Sequence, residues 1–144
     1  MINMRTRMFD STTIINAVAS IENTTGRTSD PFNLEDVGRD SFVLQLAVTP
    51  TGTDDDLVWE LRPNTFGATT FLTTPLQIAE GGTTSGPTMI PLSGTIANPG
   101  VGGATYQMEF SNVHADIIQL YVASGGATDT YTVTAKCRTI EYGP

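Results

Sequence analysis

The stretch "TDTYTVTAKCRTI", residues 128–140, decides the fold, because apolar and polar side chains alternate through it without interruption. A period of two with one apolar face is typical of a strand in a sheet that packs on one side and is solvated on the other. The apolar face carries Tyr131, Val133, Ala135 and Cys137, and the polar face carries Thr130, Thr132, Thr134, Lys136 and Arg138.

Seven further segments have strand character and are separated by turns rich in glycine and proline. They are 11–21, 41–49, 56–62, 69–79, 88–96, 105–110 and 117–124. Short strands at this spacing, with no crossover helices, predict an all-β fold. We expect a single antiparallel β-sandwich of about eight strands, similar to a jelly roll. Its inward-facing side chains are predicted to be Phe42, Leu44, Leu46, Trp59, Leu61, Tyr106, Phe110, Leu120, Val122, Tyr131 and Val133.

Two local expectations accompany this fold. The sequence "SGGATD", residues 124–129, predicts an antiparallel hairpin between the last two strands, since Gly125 and Gly126 tolerate the positive φ angles of such turns. At most one short helical turn is expected near residues 30–38, where Asp30 is an N-cap candidate and Pro31 suits the first helical position.

Length and composition are consistent with one domain whose surface carries few charges. The chain has 144 residues, of which 24 are threonine and 14 are glycine, and only 15% are charged. Threonine is β-branched and suits a pleated, half-solvated surface. We assign residues 10–144 to the sandwich and residues 1–9 to an N-terminal arm.

The charge balance and the single cysteine exclude several classes of function. A net charge of −8 repels phosphate backbones, so nucleic acid is not an expected partner. One cysteine cannot form an internal disulfide. No signal peptide is recognisable, and no apolar run approaches the ~18 residues of a membrane span, so no membrane association is expected.

No motif in the sequence points to catalysis. His114, the sole histidine, precedes Asp116, but no nucleophile elbow accompanies them, so we interpret it as a loop residue. Cys137 lies on an apolar face and is interpreted as a core residue. The carboxylates of Asp54–Asp56 are predicted to form a solvated hairpin tip rather than a calcium site. We therefore expect no enzyme activity, no cofactor and no metal site.

The N-terminal arm is the clearest candidate for contact with a partner. It mixes four large apolar side chains with two arginines in an otherwise acidic chain. Methionine adapts to irregular surfaces, and arginine pairs with carboxylates across an interface. Because the arm precedes the first predicted strand, its removal is expected to break no internal ladder. The predicted partner-binding residues are Ile2, Met4, Arg5, Arg7, Met8 and Phe9.

The stretch "ADIIQLYVASGGATDTYTVTAKCR", residues 115–138, resembles a C-terminal hairpin of small β-sandwich virion proteins of tailed bacteriophages, which include capsid decoration (cement) proteins and neck or tail accessory proteins. The resemblance implies a structural, non-catalytic homo-oligomer that is made in the host cytoplasm and binds the major capsid protein or another virion protein. Among these roles we expect a capsid decoration protein that stabilises the head by binding the major capsid protein.

The alternative is a neck, tail or fibre component that binds carbohydrate or a receptor. Such a site would need exposed aromatic side chains that stack on sugar rings. Of the three candidates, Trp59 is predicted to face inward, which leaves Phe66 and Tyr142.

Overall fold

The computed structural model describes residues 5–8, 11–34, 41–83, 86–111, 113 and 115–143. Within these ranges the chain forms twelve strands and no helix. They are β1 (Arg5–Met8), β2 (Thr12–Ile21), β3 (Arg27–Thr28), β4 (Phe32–Asn33), β5 (Ser41–Pro50), β6 (Leu57–Pro63), β7 (Gln77–Thr83), β8 (Gly86–Pro91), β9 (Ser93–Ile96), β10 (Ala104–Phe110), β11 (Ile117–Ser124) and β12 (Tyr131–Gly143).

Ten of the strands form two antiparallel sheets. In the first sheet the order is β12–β5–β10, and both β1 and β2 pair with the free side of β12. In the second sheet the order is β11–β6–β9, and both β3 and β4 pair with the free side of β11. The remaining strands, β7 and β8, pair with each other.

From β2 onward, with β3 and β4 counted as one position, successive strands lie in different sheets except β6 and β9, which pair with each other; this is the jelly-roll arrangement. β2 lies in the first sheet and β3–β4 in the second; β5 and β6, β9 and β10, and β11 and β12 are divided in the same way. The prediction of an all-β, jelly-roll-like sandwich is confirmed. The strand count exceeds eight because one position is split into β3 and β4, β1 is added at an edge, and the β7–β8 hairpin is inserted between β6 and β9.

Two local predictions are wrong. The loop at residues 125–130 is not a hairpin, since β11 pairs with β6 and β12 pairs with β5. Most of the segment 69–79 is a loop, and strand β7 begins only at Gln77. In the segment where at most one short helical turn is expected, Phe32–Asn33 extends along β11, and residues 35–40 lie outside the described ranges.

The core lies between the two sheets. The predicted inward residues of β5, β11 and β12 are all buried, as is Leu61 of β6. Trp59, Tyr106 and Phe110 are half-buried and pack against the rim of this core. A row of aromatic rings crosses the interior: Phe42 stacks on Phe110 at a centroid distance of 5.0 Å, and Trp59 meets Phe110 edge-on at 5.8 Å.

The described residues include no helix that is long and apolar enough to cross a membrane.

Candidate functional site

The two ends of the sandwich differ in chemistry. The loops β5–β6, β9–β10 and β11–β12 meet at one end, which we call the clasp end. The opposite end carries β1 and the insertion, defined as residues 64–92 between β6 and β9, and we call it the arm end. β1 lies at the arm end because Arg5–Met8 pairs with the last residues of β12. These residues extend past Ser41, the first residue of β5, at that end of the sheet.

Two carboxylates hold the clasp end together by reciprocal hydrogen bonds to backbone. Asp55 Oδ2 accepts from the backbone N–H of Thr128 at 2.8 Å and of Asp129 at 2.7 Å. Asp129 Oδ2 accepts from the backbone N–H of Asp54 at 2.7 Å and of Asp55 at 2.9 Å. We call this pair the acidic clasp. It joins the β5–β6 loop to the β11–β12 loop, and Asp129 is buried.

Asn98 ties the third loop to the same assembly. Its side-chain amide donates to the carbonyl oxygens of Gly52 at 3.0 Å and Asp55 at 2.9 Å, and its backbone N–H donates to Asp56 Oδ1 at 2.9 Å. Three loops are thus bound to one another by side chains of the chain itself.

Tyr131 anchors the clasp to the core. Its ring is fully buried, and its hydroxyl donates to the carbonyl oxygen of Asp55 at 2.6 Å. Burial, reinforced by the nearby carboxylates of Asp56, Asp129 and Asp55, raises the pKa of Tyr131 to about 12.

The prediction that Asp54–Asp56 forms a solvated hairpin tip is wrong for the hairpin and for Asp55, which is half-buried, whereas Asp54 and Asp56 are exposed. Asp55 and Asp56 accept backbone hydrogen bonds from other loops, and the loop that carries them connects two sheets. Among the described residues, no group of three His, Cys, Asp or Glu side chains is placed to hold a metal ion.

The structure describes only part of the predicted partner-binding arm. Arg5–Met8 forms β1, so the expectation that no ladder runs through the arm is wrong for these four residues. Their side chains, and all of Ile2, Met4 and Phe9, lie outside what the structure describes. The partner-binding role of the arm stays a prediction.

The two residues considered for catalysis have different outcomes. Cys137 is buried in the core, as predicted, and burial raises the pKa of its thiol to about 12. His114 lies outside the described residues.

The insertion exposes apolar side chains to solvent. Five large hydrophobic residues are between 39% and 83% exposed: Phe66, Leu72, Ile78, Met89 and Ile90. Between Pro63 and Met108 the sequence contains a single charged residue, Glu80, although the chain has 22 charged residues in total, 7 basic and 15 acidic. Depletion of charge together with exposed apolar side chains is typical of protein–protein interfaces.

Phe66 lies at the tip of a loop that is fixed by its own hydrogen bonds. The side-chain amide of Asn64 donates to the carbonyl oxygens of Thr65 and Ala68, each at 3.2 Å. The backbone N–H of Thr65 donates to the carbonyl oxygen of Thr70 at 2.9 Å, and Gly67 adopts a positive φ of 74°. Phe66 itself is 83% exposed, so a preformed loop presents the ring to solvent.

The aromatic side chains of Tyr121 and Trp59 are less available than Phe66 for stacking on a ligand. The Arg62 guanidinium lies over the Tyr121 ring, 3.7 Å from its centroid, and Arg62 is also paired with Glu60 at 2.9 Å. Trp59 is half-buried against Phe110. The side chain of Tyr142 is outside the described set. Of the three aromatic candidates named from the sequence, Phe66 is therefore the one whose exposed ring the structure describes.

Sequence reasoning named Phe66 but not the insertion as a whole. The signal was present in the low density of charge between residues 63 and 108. The acidic clasp left no comparable signal, because nothing in "TGTDDDL" or "SGGATD" shows that the two loops meet.

No family model and no curated protein matches the chain. Among solved structures, it is similar to the CBM22-1 xylan-binding domain of Paenibacillus barcinonensis Xyn10C, with 13% identity over 96% of this chain and 85% of that one and a TM-score of 0.42. It is also similar to a chain of the infectious bursal disease virus Gx strain, with 11% identity over 97% of this chain and 33% of that one and a TM-score of 0.47. A third similar structure is BiXyn10A CBM1, with 12% identity over 95% and 92% and a TM-score of 0.37. At these values the likenesses concern the fold, and the architecture is assigned here from the strand order.

Proposed function

We propose that the chain is a non-enzymatic structural protein of a phage virion, namely a decoration protein that binds the major capsid protein and stabilises the head. The observation that supports this proposal is the insertion: five exposed apolar side chains in a stretch with one charged residue, held at the arm end of a rigid sandwich. A surface of this kind is stabilised when a partner covers it.

Phe66 is the proposed anchor of that contact. A buried aromatic anchor commonly dominates the binding energy of a protein interface. Because the loop around Phe66 is already fixed by Asn64 and Thr65, little conformational entropy is lost when the ring enters a pocket. Of the proposed arm, Arg5–Met8 forms β1 at the same end of the sandwich, where it would extend this contact.

The experiment is a binding assay on phage heads assembled without this protein. Purified chain is added, the heads are sedimented, and the bound fraction is measured against concentration. We expect saturable binding, weakened about tenfold or more by Phe66→Ala. The matched control is Val101→Ala, since Val101 is 64% exposed but lies in the β9–β10 loop at the clasp end. Absence of binding to heads, or equal binding by the Phe66 and Val101 variants, would contradict the proposal.

The alternative is a neck, tail or fibre component that binds carbohydrate or a receptor, and the exposed ring of Phe66 also favours it, because one face of an aromatic ring can stack on a sugar. The same variants separate the two functions. Binding of the chain to host-cell polysaccharide that is lost in Phe66→Ala, with no binding to heads, would favour the alternative.

A further inference from the structure

The edges of the two sheets are not equally protected against pairing with another chain. β2 is irregular: its register with β12 shifts three times, and Ala17 and Ser20 have positive φ angles of 48° and 58°. β3 and β4 have two residues each, and β9 has four. Bulges and short strands are the usual means by which proteins block edge-to-edge association.

β10 has none of these protections. Its seven residues pair with β5 in unbroken register, from Ala104 opposite Val48 to Phe110 opposite Phe42. Among the described strands β10 pairs with β5 alone, so its other edge presents backbone donors and acceptors in regular order. The core-facing side chains of this strand, Tyr106, Met108 and Phe110, are only half-buried. A strand added beside β10 would satisfy the backbone groups and cover these side chains.

The β7–β8 hairpin has the properties of such a strand donor. It pairs with neither sheet and is attached at its base by three backbone hydrogen bonds, in which Leu92 donates to Leu76, Leu76 to Leu61, and Leu61 to Leu92, at 2.7 to 2.9 Å. A two-stranded hairpin is marginally stable in water without further packing. β8 contains Pro87 and Pro91, which weaken it as a pairing edge, whereas β7 contains no proline.

Donor and acceptor lie on the same side of the sandwich. β9 is the edge of the second sheet and continues directly from the hairpin, and β10 is the edge of the first sheet. The loop at residues 97–103 connects them. A single two-fold axis on this side can therefore place the hairpin of each copy against β10 of the other, because a two-fold contact uses the same surface twice.

Charge also favours a second copy as the occupant. Two chains with a net charge of −8 repel each other over most of their surfaces. One stretch of sequence with a single charged residue, Glu80, contains the β7–β8 hairpin, β9, and β10 as far as Met108. Two copies therefore approach each other with least repulsion on this side of the sandwich.

We propose that the chain self-associates by strand addition, with the β7 edge of one copy pairing with β10 of a second copy. The pairing segment is Gln77–Glu80, which keeps regular register with β8. This inference goes beyond the virion role, since self-association is a property of the isolated protein and is measured without phage heads.

The test is sedimentation equilibrium of the full chain over a wide range of concentration. We expect a reversible dimer. The donor variant is Ile78→Lys, which places a charge on a side chain that is 42% exposed and should raise the dimer dissociation constant about tenfold or more. The matched control is Val101→Lys, which adds the same charge at an exposed apolar residue of the clasp end and should leave the dissociation constant unchanged.

A second variant removes the donor altogether. Because Leu92 N–H donates to the Leu76 carbonyl at 2.7 Å, residues 77–91 can be replaced by a two-residue glycine turn without separating the ends. This variant should keep the β-sheet circular dichroism of the parent and sediment as a monomer. Direct contact is tested by mixing Ile78→Cys and Gln107→Cys preparations, which should form a disulfide-linked pair containing one of each; native Cys137 is buried. A parent that is monomeric throughout, or an oligomer that survives both donor variants, would overturn the proposal, whatever the outcome of the head-binding assay.

Discussion

Replacing Asp129 with alanine removes one half of the acidic clasp. The buried carboxylate accepts two hydrogen bonds, from the backbone N–H groups of Asp54 and Asp55, and both end on the same oxygen. A hydrogen bond to a charged group contributes about 1.5–3 kcal/mol to stability. Water can reach Asp54 once the carboxylate is gone, because Asp54 is exposed. We therefore expect a loss of about 2–4 kcal/mol in the free energy of unfolding, rather than the full sum.

The assay is thermal and urea unfolding followed by circular dichroism. For a chain of this length, 1 kcal/mol corresponds to roughly 2–5 °C in Tm, so Asp129→Ala should melt about 5–15 °C below the parent. Asp129→Asn should lose about half as much free energy, since its amide oxygen can accept both bonds but carries no charge. The control is Asp54→Ala, which removes the same charge from the β5–β6 loop, the partner loop of the clasp, while leaving the Asp54 backbone N–H in place.

A double mutant tests the acidic clasp more sharply, because each of its two carboxylates binds the loop that carries the other. Asp55 accepts from the backbone of Thr128 and Asp129, while Asp129 accepts from the backbone of the Asp55 loop, so either side chain alone holds the two loops together. In a double-mutant cycle of Asp55→Ala and Asp129→Ala, the two losses should therefore not be additive. If Asp129→Ala unfolds at the same urea midpoint as Asp54→Ala, the clasp does not stabilise the fold and the reasoning fails.

Three further predictions concern the same region and the core. A Cβ at Gly126 would collide with the Asp55 carboxylate, whereas a Cβ at Gly102 meets nothing, so Gly126→Ala should lower Tm and Gly102→Ala should not; equal melting of both variants would refute the close packing. The pKa of Tyr131 is raised from 10 to about 12 in the folded state, so its contribution to stability is intact below pH 10 and declines by ~2 kcal/mol as the pH rises to 12. Tyr131→Phe should remove that part of the decline, and an unchanged alkaline profile would count against it. The thiol of Cys137 is buried with its pKa raised to about 12, so it should react with a thiol reagent such as DTNB only at the rate of unfolding; fast labelling of the folded protein would show that the strand opens.

The alternation of β12 was sufficient to predict its inner face, because a strand has only two faces and one must be apolar to pack. Tyr131, Val133, Ala135 and Cys137 are all buried as predicted. The pattern does not, however, show which strand lies beside β12. A hairpin and a connection between two stacked sheets give the same alternation. For this reason the sequence predicts β11 as the partner of β12, whereas β12 pairs with β5.

The candidate site was less predictable than the fold, for a related reason. The acidic clasp depends on two loops, at residues 51–56 and 125–130, that are far apart in sequence and meet only after both sheets have formed. Aspartate in a glycine-rich turn is equally compatible with a solvated loop. The insertion is predictable in part, since the sequence makes Phe66 a candidate exposed aromatic, but the threonines and leucines of segment 69–79 suit a strand and so predict one wrongly.

The opposite chemistry of the two ends leads to an expectation about how the protein is oriented on its proposed partner. At the clasp end, hydrogen bonds within the chain already satisfy Asp55, Asp129 and Asn98, so a partner there would have to displace them and desolvate carboxylates. At the arm end, the insertion exposes five large apolar side chains among threonines and contains one charged residue, Glu80, so covering the apolar side chains releases water at no comparable cost. We therefore expect the arm end to face the partner surface and the acidic clasp end to face solvent.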